Sequence, residues 1–217
     1  MASIRYIGLD GLEKAPAYEA AEILRTGGVI IFPADTLYGF SALASNSDGI
    51  RRLNKIKNRP ADKPQIILLK LDWLEKFVKN YERFTPIIDA FEPGPLTLLA
   101  EPKADAKLSA ELIEDGKIAF RISQSWFADV VLDILGEPMT STSVNFNSQK
   151  PMTKPMDIIA QFEEDVDGIF VFPDIELSGP PSTMVDVSNY PDIKLVRAGA
   201  IYYEAVEKVV EMSEQKR

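Results

Sequence analysis

Along the chain, short unbroken apolar runs alternate with stretches in which apolar residues recur every third or fourth position. The first pattern suits strands buried on both faces, and the second suits helices with one buried face. A first strand is predicted at 4–9. Pro16 then opens a helix whose apolar face is Ala17, Ala20, Ala21 and Leu24, and Gly27-Gly28 stops it. Residues 29–32, VIIF, read as a buried strand. Asn46 caps a following helix that buries Ile50, Leu53 and Ile56 and turns its charges outward. Another buried strand is predicted at 66–69. A helix through Val78 follows behind a capping box of Asp72 and Glu75, and a short helix starts at Thr85-Pro86.

Beyond the turn FEPGPLT, the pattern predicts strands at 96–100, 118–122, 139–143, 169–172, 184–187 and 193–196. Helices are predicted at 126–135, 156–162 and 204–212. Short, hairpin-like connections near the end favour a mixed sheet over a purely parallel one. No internal repeat, low-complexity tract or Gly/Ser linker divides the 217 residues. The pattern therefore predicts one α/β domain over 1–217, with the last ten residues a fraying helix end.

Composition narrows the chemistry. The chain is 46% hydrophobic and 26% charged, which is ordinary for a globular protein with a real core. It has no cysteine, so disulfides and thiolate chemistry are excluded, and no histidine, which removes the commonest general base and most zinc sites. No apolar run reaches signal-peptide or membrane-span length, which predicts a soluble, cytoplasmic protein without membrane contact.

The net charge of −9 repels long polyanions. An RNA-binding or translation-associated module without turnover is thus the weaker alternative, with weak or no direct nucleic-acid binding expected. Yet Arg51, Arg52, Lys55, Lys57, Arg59 and Lys63 crowd into one short stretch. A small anion held in one local basic pocket reconciles the two facts.

Four polar clusters follow or interrupt apolar strands. PADTLYG (33–39) reads on its own as a strand-to-helix turn in which Asp35 and Thr36 bond nearby backbone. KNRPADKP (57–64) places Lys57, Arg59 and Lys63 on a stretch stiffened by Pro60 and Pro64, as a phosphate clamp requires, although such charges also suit a solvated helix end. TSTSVNFNSQKPMT (140–153) is either a polar loop or a set of neutral donors and acceptors for an amino acid or nucleotide. Arg121 and Arg197 each interrupt an apolar strand, where unpaired burial is costly, and Ser182-Thr183 lies between them in sequence. No P-loop or GxGxxG sequence is present, and a Ser-His-Asp triad is ruled out. The residues alone reach a small-anion-binding α/β protein and no reaction.

Taken in order, PADTLYG, KNRPADKP, GPLT, AFR, SVN, STMVD and RAG resemble the motif series of the YrdC-like family, the L-threonylcarbamoyladenylate synthases. The resemblance covers a motif core of about 27–201. It implies a twisted mixed sheet flanked by helices around a basic cavity, in the short single-domain form. It also implies formation of threonylcarbamoyl-AMP and pyrophosphate from L-threonine, bicarbonate and ATP. That product serves the modification of adenosine 37 in ANN-decoding tRNA, so downstream tRNA-modifying proteins are implied partners. Mg²⁺ is expected as a cofactor carried with ATP. A related carbamoyl-transfer domain of the hydrogenase-maturation type usually accompanies zinc-finger and acylphosphatase-like parts, which this sequence does not contain.

Transferred residue by residue, the resemblance places threonine near Thr36, Leu68, Arg121, Ser143 and Ser182, with Arg121 on its carboxylate. ATP falls to Arg59, Lys63, Lys117, Asn145, Thr153 and Arg197, and Lys57 and Arg59 are the catalytic candidates. The chain departs from the family pattern at several of these places. Ala34 replaces a Thr, NFNSQKPMT replaces N-L-S-G-x-P-S-P-T, Lys117 stands where Thr is typical, and Leu68 occupies an often polar position.

Overall fold

Alternate residues of the strand at 30–33 serve opposite sides of a sheet, and two packed layers follow from that alternation. The computed structural model describes residues 1–60 and 65–215. Its strands are β1 (Ser3–Tyr6), β2 (Ile30–Pro33), β3 (Tyr38–Ser41), β4 (Ile66–Leu69), β5 (Leu96–Ala100), β6 (Ile118–Ile122), β7 (Met139–Ser143), β8 (Gly168–Val171), β9 (Thr183–Asp186) and β10 (Lys194–Arg197). They form one sheet in the order β1-β8-β2-β3-β7-β4-β6-β5-β9-β10. Parallel pairs (β1–β8, β2–β8, β4–β6, β5–β9) mix with antiparallel ones (β2–β3, β3–β7, β4–β7, β5–β6, β9–β10). The mixed sheet anticipated from the sequence is present.

Ile30 and Phe32 point into one core with α1 (Ala15–Arg25), through Ala17, Ala20, Ala21 and Leu24. Into the same layer α5 (Trp126–Leu135) contributes Phe127, Val131 and Leu132. Phe127 stacks on Phe32 at 6.5 Å and meets Phe170 at 5.2 Å. Burying each such ring contributes roughly 1.5–3 kcal/mol. Ile31 faces the larger core with Ile50 and Leu53 of α2 (Ser47–Ile56), Phe162 of α6 (Pro155–Phe162) and Val206 of α7 (Tyr203–Glu214).

Local sequence explains most element ends. Asn46 Oδ1 accepts the Gly49 N–H at 2.9 Å and caps α2 as predicted. Asn58, at φ 50°, carries the chain out of α2 in the left-handed conformation that Asn tolerates. The capping box at Asp72 and Glu75 does not form. A 3₁₀ turn at Leu71–Trp73 leads directly into the single-turn helix α3 (Leu74–Phe77), held by burial of Leu74 and Phe77. The helix at Thr85-Pro86 is α4 (Thr85–Phe91).

PADTLYG is a hairpin turn between β2 and β3, with the Ala34 N–H donating to the Leu37 carbonyl at 3.0 Å. It is not a strand-to-helix turn. All four β3 residues, Tyr-Gly-Phe-Ser, are buried because the strand pairs on both edges, so no apolar alternation marks it.

Near the end of β10, Gly199 lets the chain pass directly over the 181–183 backbone. A Cβ there would press on the Pro181 carbonyl and the Ser182–Thr183 peptide, backbone that cannot yield cheaply. Gly199→Ala is expected to cost more than ~2 kcal/mol of stability. Urea unfolding measures this, and a loss under ~0.5 kcal/mol would contradict the close approach.

Candidate active site

The hairpin turn after β2 supplies the first wall of a cavity of about 480 Å³, where Ala34, Thr36 and Tyr38 are exposed to its interior. The Thr36 carbonyl accepts the Gly179 N–H at 3.0 Å. The Tyr38 hydroxyl donates to the Ile175 carbonyl at 3.0 Å and accepts the Phe172 N–H at 3.3 Å. Burial pushes that phenol up to about 12, so it stays a neutral fastener. These bonds lay the irregular 172–182 segment along the cavity, where Ser178, Gly179 and Pro181 line it. A Cβ on Gly179 would collide with the Thr36 side chain, so Gly is needed for this approach.

Guanidiniums from three separated parts of the chain enter this space: Arg59 after α2, Arg121 on β6 and Arg197 at the end of β10. Arg121 is only 5% exposed. Its Nη2 lies 3.4 Å from Asp35 Oδ2, while its Nε takes no hydrogen bond, so the buried cation is incompletely satisfied. Arg197 donates through Nε and Nη2 to the Ser182 carbonyl at 3.1 and 2.9 Å, and through Nη2 to Ser182 Oγ at 2.9 Å. Ser182 Oγ also lies 2.7 Å from Thr97 Oγ1. Burial lowers the Arg197 pKa, and the like charges of Arg121 and Arg59 lower it further. Burial likewise lowers that of Arg59, against the pull of Glu114. Arg59 and Arg197 remain cations at neutral pH despite this lowering. The lining offers hydroxyls at Thr36, Ser141, Thr142, Ser143 and Thr153 and, among the described residues, no carboxylate.

Lys57 does not line the cavity. It is 2% exposed, and its ammonium donates to the Ser143 carbonyl, to the Asn145 carbonyl at 2.9 Å and to Asn145 Oδ1 at 3.0 Å. Asn145 Oδ1 also accepts the Ser143 hydroxyl at 2.6 Å, and its amide donates to the Phe146 and Gln149 carbonyls, each at 2.8 Å. Lys57 and Asn145 are thus consumed in shaping the loop after β7, and Ser143 is the member of the set that reaches the cavity. The sequence placed Lys57 in the chemistry and Asn145 on ATP; the structure puts both beneath the wall.

Two further candidates lie elsewhere. Leu68 is fully buried under α5, two residues deeper along β4 than Ile66, which does line the cavity. Lys117 forms an ion pair with Asp186 at 2.6 Å outside the cavity. Lys63 lies outside the described residues. Thr36, Arg59, Arg121, Ser143, Thr153, Ser182 and Arg197 are brought together. Lys150, at the mouth, was not singled out; it sits where SQKPMT departs from the family pattern, and that departure was the available signal.

Two buried titratable groups flank the site. Burial, with Arg59 adding to it, pushes Lys57 down to about 7. Burial pushes the Glu92 carboxyl up to about 9, although Arg121 and the Ile122 N–H pull the other way. Lys57 therefore contributes stability that is full above its ordinary 10.5 and lost as pH falls through 7. Glu92 contributes stability that is full below its ordinary 4.5 and lost as pH rises through 9. The two oppose each other between pH 7 and 9. Relative to the parent, Lys57→Met should make stability fall with pH across that window and Glu92→Gln should make it rise, each by up to ~1.4 kcal/mol per pH unit. Urea unfolding at pH 7, 8 and 9 reads both slopes, and curves parallel to the parent would contradict the assignment.

The geometry agrees with comparison to known proteins. A family model described as telomere recombination, the Sua5/YciO/YrdC model, matches residues 22–199. The threonylcarbamoyl-AMP synthase of Pyrococcus abyssi is 29% identical over 195 residues, covering 88% of this chain. The chain spans about half the length (56%) of that curated relative. The structure of P. abyssi Sua5 complexed with L-threonine superposes with a TM-score of 0.82 at 25% identity, over 96% of this chain and 60% of that one. E. coli YciO superposes with a TM-score of 0.82 at 25% identity, over 94% of this chain and 98% of that one. With the family model spanning most of its length and the fold matching throughout, the chain belongs to the Sua5/YciO/YrdC family.

Proposed function

We propose that the protein condenses L-threonine, bicarbonate and ATP into threonylcarbamoyl-AMP and pyrophosphate, the adenylate used to modify adenosine 37 of ANN-decoding tRNAs. The observation that carries this reading is the meeting of Arg59, Arg121 and Arg197 with a ring of hydroxyls in one cavity of about 480 Å³. That volume suits a nucleotide and a small amino acid side by side. A relative of the same family is named for this synthase, and another family structure is complexed with L-threonine.

In this reading the threonine carboxylate pairs with the under-bonded Arg121, and its amine and hydroxyl meet Thr36, Ser143 and Ser182. Threonine and bicarbonate give the carbamate, water and a proton. A carbamate oxygen then attacks the α-phosphorus of ATP, and the bond to the bridging oxygen of pyrophosphate breaks. The nucleophile is already an anion, so this step needs no histidine or cysteine. Holding the reactants in line and cancelling charge on the leaving pyrophosphate are the protein's tasks, and Arg59 and Arg197 serve the second. Mg²⁺ enters with ATP, held by phosphates and water, since the described lining offers it hydroxyls and no carboxylate.

The test is pyrophosphate release by the purified chain with ATP and Mg²⁺. Release is expected only when L-threonine and bicarbonate are both present, and equal release without threonine would overturn the reading.

A further inference from the structure

The three cavity guanidiniums differ in their counter-charges. Arg197 is held by the neutral oxygens of Ser182. Arg121 has a buried carboxylate 3.4 Å away in Asp35, whose side chain is 5% exposed and does not itself line the cavity. That contact is long and is not a hydrogen bond, and Asp35 Oδ2 and Arg121 Nε are both left without hydrogen-bond partners. Asp35 therefore supplies charge to Arg121 while leaving the guanidinium open to a ligand.

Asp35 is fixed by its other oxygen. Oδ1 accepts from Ser123 Oγ at 2.5 Å, the Gln124 N–H at 2.9 Å and the Ser125 N–H at 2.8 Å. The Ser125 hydroxyl returns a bond to the Pro33 carbonyl at 2.7 Å. These bonds join the end of β2 to the end of β6, strands that β3, β7 and β4 separate in the sheet. The second acidic group nearby, Glu92, is uncharged at neutral pH because burial holds its carboxyl up near 9. Arg121 and Asp35 then sum to zero, whereas among the described residues no carboxylate pairs with Arg197. The cavity is graded from a neutral end to a cationic end.

We propose that Asp35 is a specificity-determining residue that acts through Arg121. By cancelling the guanidinium's charge it reserves that end of the cavity for a zwitterion and turns polyphosphate towards Arg59 and Arg197. A zwitterionic amino acid has no net charge and loses nothing to the Asp35 carboxylate on average, while its own carboxylate still finds open donors on Arg121. A polyphosphate brings several negative charges to a low-dielectric spot whose one positive charge is already cancelled, and is disfavoured there. Two substrates sharing one cavity, one zwitterionic and one polyanionic, are thereby sorted before any reaction. This inference rests on the proposed function for the identity of the zwitterion.

Pyrophosphate and L-threonine are the probes, titrated by calorimetry. The parent protein should bind one pyrophosphate per chain, and pyrophosphate should change the threonine Kd by less than about threefold. Asp35→Asn keeps an oxygen for the three donors and removes the charge. In that variant a second pyrophosphate should bind, competitively with threonine, raising the apparent threonine Kd at least tenfold. Glu101→Gln removes the same unit of charge at an exposed carboxylate paired with Lys79, and should behave as the parent. A second, threonine-displaceable pyrophosphate in the parent overturns the proposal without reference to any variant. So does a folded Asp35→Asn that binds threonine and shows no competition. A parent that binds pyrophosphate but no threonine overturns the functional reading, and this inference with it.

Discussion

Three like charges do not gather in one cavity unless something holds them there, and the structure around the site is organised by that constraint. Arg121 is buried, Arg59 is half-buried and Arg197 lies on an exposed strand, where burial of its side chain and the like charges of Arg121 and Arg59 lower its pKa. Each is held by a different device. Arg121 is carried on a strand paired on both edges, β4 on one side and β5 on the other. Arg197 is clamped to Ser182, whose own neighbour Thr183 is locked by the Ile201 carbonyl at 2.6 Å. Arg59 follows the left-handed turn at Asn58 that ends α2. Three guanidiniums around a described lining that holds no carboxylate make the cavity one that favours an anion.

The walls are kept in place by polar groups that do not line the cavity themselves. Lys57 ties the end of α2 to the loop after β7 through three acceptors, and its backbone carbonyl accepts the Asn147 N–H at 2.7 Å. Its aliphatic stem is enclosed, and its ammonium lies 5.2 Å from the centre of the Phe40 ring. A buried lysine of this kind is expensive to ionise, and the oxygens around it are what make the charged form tolerable. A lysine that lines no cavity can still govern activity through the loop it supports.

Much of this was legible in the sequence, for identifiable reasons. The strand at 66–69 was placed correctly because its continuous apolar run, Ile-Ile-Leu-Leu, marks a strand enclosed on both faces. Arg121 and Arg197 stood out because a guanidinium in such a run needs a partner. β3 was not legible: Tyr38-Gly39-Phe40-Ser41 has no alternation, since both its faces are buried and its glycine accommodates the Ser141 side chain. Lys57 and Asn145 were recognised by motif, and they bond each other behind the lining residues. Spacing tells which residues gather and not which of them face inward. Asp35 was read as a local turn residue, because its partners lie about ninety positions away at 123–125.

The central claim is that one cavity separates an amino-acid end at Arg121 from a phosphate end at Arg197. Calorimetric titration of L-threonine and of Mg-ATP into Arg121→Ala and Arg197→Ala, each shown to be folded by thermal unfolding, tests it most directly. Arg121→Ala should lose about 1.5–3 kcal/mol of threonine binding and hold its ATP affinity within about threefold, and Arg197→Ala should do the reverse. Equal losses of both ligands in both variants would contradict the division of the cavity.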